Sequence, residues 1–236
     1  MPRQAIWNHN IIDFMPKIQI IIPVYEDTPS LERILPDLLR KKWDPAQILV
    51  VDASEKAPFP LVNAYKVPVL YADKAAKGRA KQMNLGAMQS SSELLIFLHA
   101  DTILPANAHE LVVDAAEKGT VFGGFSRRFD SPSRFLKWTC RLADWRGEQA
   151  GWFFGDQALF VTRKAFDHLG GFPEIELFED LAFSRKLKAL GPYSLLRPGI
   201  VSSARRFDKE GVLLRTLKDV GLTIRYIFIS VLKKST

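Results

Sequence analysis

The sequence predicts a single α/β domain with a mostly parallel central sheet flanked by helices. Short, continuous apolar segments, typical of strands buried on both faces, alternate with segments of helical periodicity. Strands joined through helices need crossover connections, and these make neighbouring strands parallel. A length of 236 residues allows one large domain or at most two small ones.

The elements of the first half follow from their residue patterns. Ile18–Val24 is rich in β-branched residues and predicts the first strand. Thr28 predicts the cap of a helix, with Pro29 at its first position and a kink at Pro36. The segments that follow predict strands at 48–52, 67–71 and 94–98 and a helix at 78–89.

The second half is interrupted by glycines between aromatic segments, and we expect strands and short helices that complete the same domain. One helix is predicted to begin near Glu179 and to end at Gly191 and Pro192. A last amphipathic helix is predicted at 211–236, after a main domain at 18–210 and an N-terminal extension at 1–17.

Composition excludes several classes of protein. With 47% hydrophobic and 25% charged residues, the chain is neither disordered nor of low complexity. The single Cys140 excludes an intramolecular disulfide and a multi-cysteine metal site, and it is predicted to be buried. The net charge of +7 is spread along the chain without a nucleic-acid-reading motif. This pattern suits a phosphate-bearing small molecule or an anionic membrane surface, and we expect no nucleic-acid partner.

The N-terminal residues do not have the pattern of a signal peptide, and no stretch is apolar enough to span a bilayer. We therefore expect a cytoplasmic protein.

Polar clusters follow three of the predicted strands. They are Tyr25-Glu26-Asp27, Asp52-Ala53-Ser54 and His99-Ala100-Asp101. In open α/β sheets the ligand crevice lies beyond the carboxyl ends of the strands. A carboxylate there can bind a ribose or a divalent cation, although a single aspartate also fits a turn cap. Neither a Gly-x-Gly-x-x-Gly motif after the first strand nor a Walker loop is present, which disfavours dinucleotide dehydrogenases and P-loop enzymes.

Five short motifs occur in order along the chain: Ile-Ile-Pro-Val-Tyr at 21–25, Val-Val-Asp-Ala-Ser at 50–54, Lys-Gly-Arg-Ala-Lys-Gln-Met-Asn at 77–84, Leu-His-Ala-Asp-Thr at 98–102 and Phe-Glu-Asp at 178–180. This series resembles glycosyltransferase family 2, the inverting enzymes with a Rossmann-like nucleotide-diphospho-sugar transferase domain of the A-type fold. Gly-Arg-Ala-Lys-Gln-Met-Asn, Leu-His-Ala-Asp-Thr and Phe-Gly-Asp-Gln are similar to a bacterial branch labelled as associated with radical-SAM or selenium proteins or with arsenosugar biosynthesis. The similarity covers residues 18 to 207.

The resemblance implies a nucleotide-binding half at 18–104 and an acceptor half at 105–210. On the donor side it implies that the nucleotide sugar is bound by Pro23, Tyr25, Asp27, Asp52, Lys77, Arg79 and Arg206. On the acceptor side it implies contacts from Trp152, Phe154 and Asp156.

The family's metal motif, Asp-x-Asp, is altered in this chain. Asp101 matches its last carboxylate, whereas His99 replaces the first. The resemblance thus implies Mn²⁺ or Mg²⁺ as cofactor, with Asp101 as a ligand. His99 is a second ligand, a partner of a ligand, or a core histidine.

Glu179 and Asp180 match the acidic pair that begins the family's acceptor-side helix. Inversion at the anomeric carbon needs a carboxylate that takes the proton of the acceptor hydroxyl, and Asp180 is the predicted base, with Glu179 second. Acids at a helix N-terminus also stabilise the helix dipole, which alone explains one of the two.

The predicted function is metal-dependent transfer of a sugar from a nucleoside diphosphate to a hydroxyl acceptor, either a small molecule or lipid-linked. A nucleotidyltransferase is the first alternative, but it needs a glycine-rich loop that residues 24–30 do not supply. The second is a non-catalytic membrane-surface or nucleotide-binding module that uses the basic, apolar C-terminal helix. That helix also predicts peripheral contact with the inner face of the cell membrane.

Overall fold

The computed structural model describes residues 16–55, 59–72, 77–205, 207 and 211–232. They form one eight-stranded sheet in the order β3-β2-β1-β4-β7-β6-β8-β5. Its strands are β1 (Ile18–Val24), β2 (Ile48–Asp52), β3 (Val69–Tyr71), β4 (Leu94–Phe97), β5 (Thr102–Ile103), β6 (Phe122–Phe129), β7 (Leu159–Thr162) and β8 (Tyr193–Ser202). The pairings of β3, β2, β1 and β4 are parallel, as is that of β6 with β8, whereas β7 and β5 pair antiparallel with their neighbours.

Helices connect the strands and cover the sheet. They are α1 (Thr28–Arg40), α2 (Phe59–Ala64), α3 (Arg79–Gln89), α4 (Ala108–Glu117), α5 (Arg134–Ala150), α6 (Arg163–Leu169), α7 (Glu179–Leu187) and the C-terminal helix (Val212–Leu232). Short 3-10 turns lie at Pro45–Gln47 and Gly155–Gln157. The predicted α/β class with a mostly parallel sheet is confirmed.

The core has two layers because β1 is buried on both faces. Ile20 and Ile22 belong to the apolar cluster under α1 and α4, whereas Ile21 belongs to the cluster under α3, α6 and α7. Full burial of one such side chain contributes about 1.5–3 kcal/mol to stability. Because successive side chains of β1 point to opposite faces of the sheet and both sets are apolar, β1 stabilises both layers. Cys140 is buried, as predicted.

Helix ends differ from the prediction at two places. Asp27 rather than Thr28 is the N-cap of α1, and its carbonyl accepts hydrogen bonds from the amides of Ser30 and Leu31. Helix α7 ends at Leu187, before Gly191. A Cβ atom at Gly191 would lie 2.5 Å from Val121 Cγ2, so close packing explains this glycine.

Helix α5 is the largest departure, because 17 residues are helical where short elements were expected. Ser133 caps it, and its buried face is formed by Leu136, Cys140, Ala143 and Gly147. Only one of these four residues is large and apolar, so the helical periodicity of hydrophobic residues is weak in this segment. The tryptophans on the outward face weaken it further.

Candidate active site

The carboxyl ends of β1, β2 and β4 meet at one edge of the sheet, where the predicted donor-side residues lie. Val24 pairs with Asp52 across β1 and β2, and Ile21 pairs with Phe97 across β1 and β4. The polar cluster after each strand is therefore brought to the same edge, as the sequence predicted.

Asp52 is the most buried carboxylate of this edge. Its Oδ1 accepts hydrogen bonds from the amide and hydroxyl of Ser54, at 3.0 and 2.6 Å. Its Oδ2 is also buried, and within the described residues it receives no hydrogen bond. A buried carboxylate oxygen of this kind requires a donor, and a ligand at the strand end can supply one.

Tyr25 and Lys77 are brought together above this edge. The Nζ of Lys77 lies 3.9 Å from the centroid of the exposed Tyr25 ring, a cation–π contact. An exposed aromatic ring can stack on a nucleobase, and a lysine can bind a phosphate. This pair is therefore suited to a nucleotide.

Gln82 holds the ends of β1 and β2 in place, a role that the sequence analysis missed. Its side-chain amide donates to the carbonyl oxygens of Val24 and Val51, at 2.7 and 2.8 Å. Both carbonyls precede candidate donor-site residues, so Gln82 fixes their backbone. The Lys-Gln-Met-Asn motif contains this residue, but its pattern alone does not indicate which groups it contacts.

The beginnings of α3 and α7 lie next to each other. Arg79 Nε, at the start of α3, lies 3.4 Å from Oε1 of the buried Glu179. A cleft of about 270 Å³ opens there, between the beginning of α3 and residues 174–176. Glu179 therefore has an ionic partner on α3.

Asp180 is buried beside Glu179 and is held by two backbone amides. The amide of Gly155 donates to Oδ2, and that of Leu181 donates to Oδ1 at 2.6 Å. Burial, and then the charge of Glu179, raise the pKa of Asp180 to about 6, although both hydrogen bonds and Arg79 oppose the shift. A carboxylate with a pKa near the operating pH is well suited to proton transfer.

Gly155 lies between His99 and Asp180. A Cβ atom at Gly155 would lie 2.4 Å from His99 Nε2 and 3.1 Å from Asp180 Oδ2. The imidazole of His99 is thus packed on Gly155, whose amide donates to the candidate base, and the charge of His99 also acts on Asp156. Because the site needs a residue without a side chain at 155, Gly155 positions both groups.

Asp156 is paired inside the protein with Arg127. The guanidinium of Arg127 donates to Oδ2, whereas Oδ1 is buried and receives no hydrogen bond within the described part of the chain. Burial works to raise the pKa of Asp156, but Arg127, His99 and Arg146 outweigh it and hold the pKa below its usual value. Its contact with an acceptor stays a prediction.

Arg146, which the sequence analysis did not select, supports the same turn. It donates to the carbonyl of Trp152 at 3.0 Å and to Gln157 Oε1 at 2.9 Å. Its guanidinium also lies 3.8 Å from the centroid of the Phe154 ring. Burial lowers the pKa of Arg146 to about 10, which leaves it charged at neutral pH.

Aromatic residues pack together next to the start of α7. Phe178, with φ 65°, precedes α7 and lies 6.1 Å from Phe154 between ring centroids. Tyr226 of the C-terminal helix packs on Phe178 at 5.0 Å, and Arg185 lies 5.4 Å from the Trp152 ring. Phe178 belongs to the Phe-Glu-Asp motif but was not selected as a site residue, and Tyr226 has no signal beyond its aromatic character.

Asp101 is half-buried after β4, and its Oδ1 lies 3.4 Å from Thr102 Oγ1. No group of three or more His, Cys, Asp or Glu residues in the described part of the chain could hold a metal ion. One carboxylate still fits Mg²⁺ or Mn²⁺, because such ions are often held by one or two carboxylates together with substrate phosphates.

Three further residues, Pro23, Asp27 and Arg206, were predicted to bind the nucleotide sugar, and the described contacts say little about a ligand. Pro23 is buried within β1, and Asp27 Oδ2 accepts a hydrogen bond from Ser30 and lies 3.6 Å from Arg205. Arg206 lies outside the described residues.

Among the helices that the structure describes, none has the length and apolar character needed to cross a membrane.

Solved structures with a similar fold include a mannosyltransferase and a protein in complex with a nucleotide sugar. The mannosyltransferase PcManGT from Pyrobaculum calidifontis, in complex with GDP-Man and Mn²⁺, has a TM-score of 0.63 and 19% identity over 80% of this chain and 57% of its own. S. aureus TarS 1–349 in complex with UDP-GlcNAc has a TM-score of 0.61 and 16% identity over 79% of this chain and 58% of its own. This chain therefore spans less than two thirds of those structures.

No curated protein matches the sequence. The family model for Glycosyl transferase family 2 matches residues 19–170, more than half of the chain. The matched segment contains Asp52, Lys77, Arg79 and Asp101 and ends before α7. Sequence and fold thus agree, and the protein belongs to glycosyltransferase family 2.

Proposed function

We propose that this protein is an inverting, metal-dependent glycosyltransferase that moves a sugar from a nucleoside diphosphate to a hydroxyl acceptor. The observation that carries the proposal is the environment of Asp180, a buried carboxylate with a pKa of about 6 at the junction of the two halves. The complexes of its structural neighbours with GDP-Man and UDP-GlcNAc support a nucleotide-sugar donor.

The proposed reaction is a single displacement. The acceptor oxygen forms a bond to the anomeric carbon, its proton passes to the Asp180 carboxylate, and the bond from that carbon to the diphosphate oxygen breaks. The backbone amides of Gly155 and Leu181 orient the carboxylate. Arg79, a cation at the beginning of α3 beside Glu179, would offset charge on the departing diphosphate.

Donor binding is proposed to use the edge formed by β1, β2 and β4. Tyr25 and Lys77 would contact base and phosphate, while Asp52 Oδ2 would accept a hydrogen bond from the nucleoside. Asp101 would hold Mn²⁺ or Mg²⁺, which supplies positive charge to the diphosphate when bound. His99 packs on Gly155 beside Asp180, so the geometry favours a positioning role for it over metal ligation.

The acceptor side is proposed to include the aromatic residues around Asp180. Trp152 and Phe154 are half-buried, and Tyr226 brings the C-terminal helix to the same place. Leu214, Leu217 and Val220 of that helix are exposed, which supports peripheral membrane contact in the cytoplasm. Membership of the radical-SAM or arsenosugar-associated branch also remains part of the proposal.

The test measures binding of UDP and GDP by thermal shift, in Mn²⁺ and in chelator. A ligand at a hundred times its dissociation constant adds about 2.7 kcal/mol of stability, so the metal-dependent shift of the wild type is easily measured. Asp101→Asn should abolish that shift. Asp114→Asn, an exposed carboxylate on α4, is the matched control. Equal binding in Mn²⁺ and in chelator, by wild type and Asp101→Asn alike, would refute the metal assignment.

A further inference from the structure

The outward face of α5 carries an unusual set of exposed side chains. Trp138 and Trp145 are 53% and 64% exposed, and Leu142 lies between them. Their spacing of four and three residues places all three on one stripe, opposite the buried face of the helix. Exposure of such a row of tryptophans to water is unfavourable in free energy, and exposed apolar patches of this kind mark surfaces that bind a partner or a membrane.

Basic residues border this stripe. Arg134, Lys137 and Arg141 are exposed within the same turns of α5. The two acids of the helix are engaged elsewhere, because Asp144 accepts from Ser126 Oγ at 2.7 Å and Glu148 accepts from Arg197 at 2.7 Å. The outward face is therefore aromatic at its centre and positively charged at its border.

We propose that this α5 face, defined by Trp138, Leu142 and Trp145 with Arg134, Lys137 and Arg141, docks on an anionic membrane surface. Tryptophan is enriched at bilayer interfaces, where its ring is buried and its N–H stays hydrated. Arginine and lysine reach anionic headgroups while their stems cover apolar surface. A second copy of the chain fits less well, since a two-fold contact through this stripe brings the same basic residues together.

The position of the face connects it to the candidate active site. Arg146, near the end of α5, contacts the Trp152 carbonyl and the Phe154 ring, and the next residue, Gly155, donates to Asp180. Docking through α5 would place the acceptor side next to the lipid surface. A lipid-linked hydroxyl is therefore the favoured acceptor class, and this last step rests on the proposed function.

The experiment is co-sedimentation of the full chain with phosphatidylglycerol-containing vesicles at about 50 mM salt, where surface charge is weakly screened. Trp138→Ser combined with Trp145→Ser should weaken binding at least about tenfold and abolish the blue shift of tryptophan emission. Arg134→Gln, Lys137→Gln and Arg141→Gln together should weaken it about 100-fold, at about fivefold per basic residue. Because the charge variant keeps all tryptophans, an unchanged tryptophan emission in the absence of vesicles shows that its fold is retained when binding is lost.

Two matched controls separate this face from other exposed apolar residues. Met88→Ser changes a 76% exposed side chain on α3, and Leu214→Ser with Leu217→Ser changes the C-terminal helix. Binding that is lost only in the C-terminal variant would overturn the proposal, as would a wild type that ignores the vesicles. A wild-type dimer that the tryptophan variant dissociates would assign the face to a second copy instead. Nucleotide binding in solution does not depend on any of these outcomes, so a failure here is distinguishable from failure of the proposed function.

Discussion

Substitution of Gly155 by alanine tests whether this glycine holds the candidate base in place. Gly155 does not have a positive φ, so alanine fits its backbone and only the space around it is wrong. The new Cβ atom would lie 2.4 Å from His99 Nε2, against at least 3.4 Å for ordinary contact. The imidazole, the turn or the Asp180 carboxylate must therefore move by about 1 Å.

The expected magnitudes follow from that displacement. Overpacking of this kind typically costs about 1–3 kcal/mol, which lowers Tm by about 2–12 °C in a domain of this size. A shift of about 1 Å in a reacting group can reduce turnover by about 100-fold. Nucleotide binding should change little, because Tyr25, Asp52 and Lys77 lie at the sheet edge and make no described contact with Gly155.

The assay compares turnover of a nucleotide sugar, UDP or GDP affinity, and Tm between wild type and Gly155→Ala. Gly221→Ala is the matched control, because a Cβ atom there meets nothing within 4 Å. His99→Ala in the Gly155→Ala background removes the overlap and should recover part of the lost stability. Normal turnover and normal Tm in Gly155→Ala would contradict this account of the site.

Two further predictions concern the candidate base and the sheet edge. Because the pKa of Asp180 is raised to about 6, the folded protein holds this proton more tightly than the unfolded chain does, and ionisation between about pH 4 and 6 removes up to about 3 kcal/mol of stability. The Tm of Asp180→Asn should thus fall less than that of the wild type between pH 4 and pH 8. Its turnover should fall at least about 100-fold while nucleotide binding persists; unchanged turnover would place the base elsewhere. Wild-type turnover itself should rise with pH through about 6, as a pH–rate profile measures. Gln82→Met removes one buried hydrogen bond from each of the Val24 and Val51 carbonyls, at about 1 kcal/mol each, although the Val24 carbonyl keeps its bond from the amide of Ala53. It should weaken nucleotide binding, whereas the exposed Gln89→Met should not.

The first half of the fold was predictable because each element satisfies a local rule. The strand bounds at Ile18–Val24 and Ile48–Asp52 agree with the apolar segments, since both strands are buried on two faces and need no alternation. The second half was not, because its strands pair with partners distant in the chain. Besides β1, strand β4 pairs with β7, which lies about 65 residues later and runs antiparallel, and no local pattern encodes that pairing.

The site divides in the same way. Sequence order and motif placed Asp52, Asp101 and Asp180 near strand and helix ends, where the structure also has them. The pairing of Arg127 with Asp156 and the packing of His99 on Gly155 depend on how β4 and β6 approach the 155–157 turn. Such contacts arise from tertiary structure and leave no spacing in the sequence.

The replacement of an acid by His99 has a physical explanation in this geometry. A carboxylate at position 99 would act on Asp156 as the charge of His99 does, and two acids beside one buried glycine would repel each other and raise one another's pKa values. An imidazole avoids this repulsion, helps to keep the pKa of Asp156 low, and fills the space above Gly155. The departure from the Asp-x-Asp motif is thus coupled to the Phe-Gly-Asp-Gln turn. His99→Asp should consequently destabilise the site more in this chain than loss of the imidazole alone.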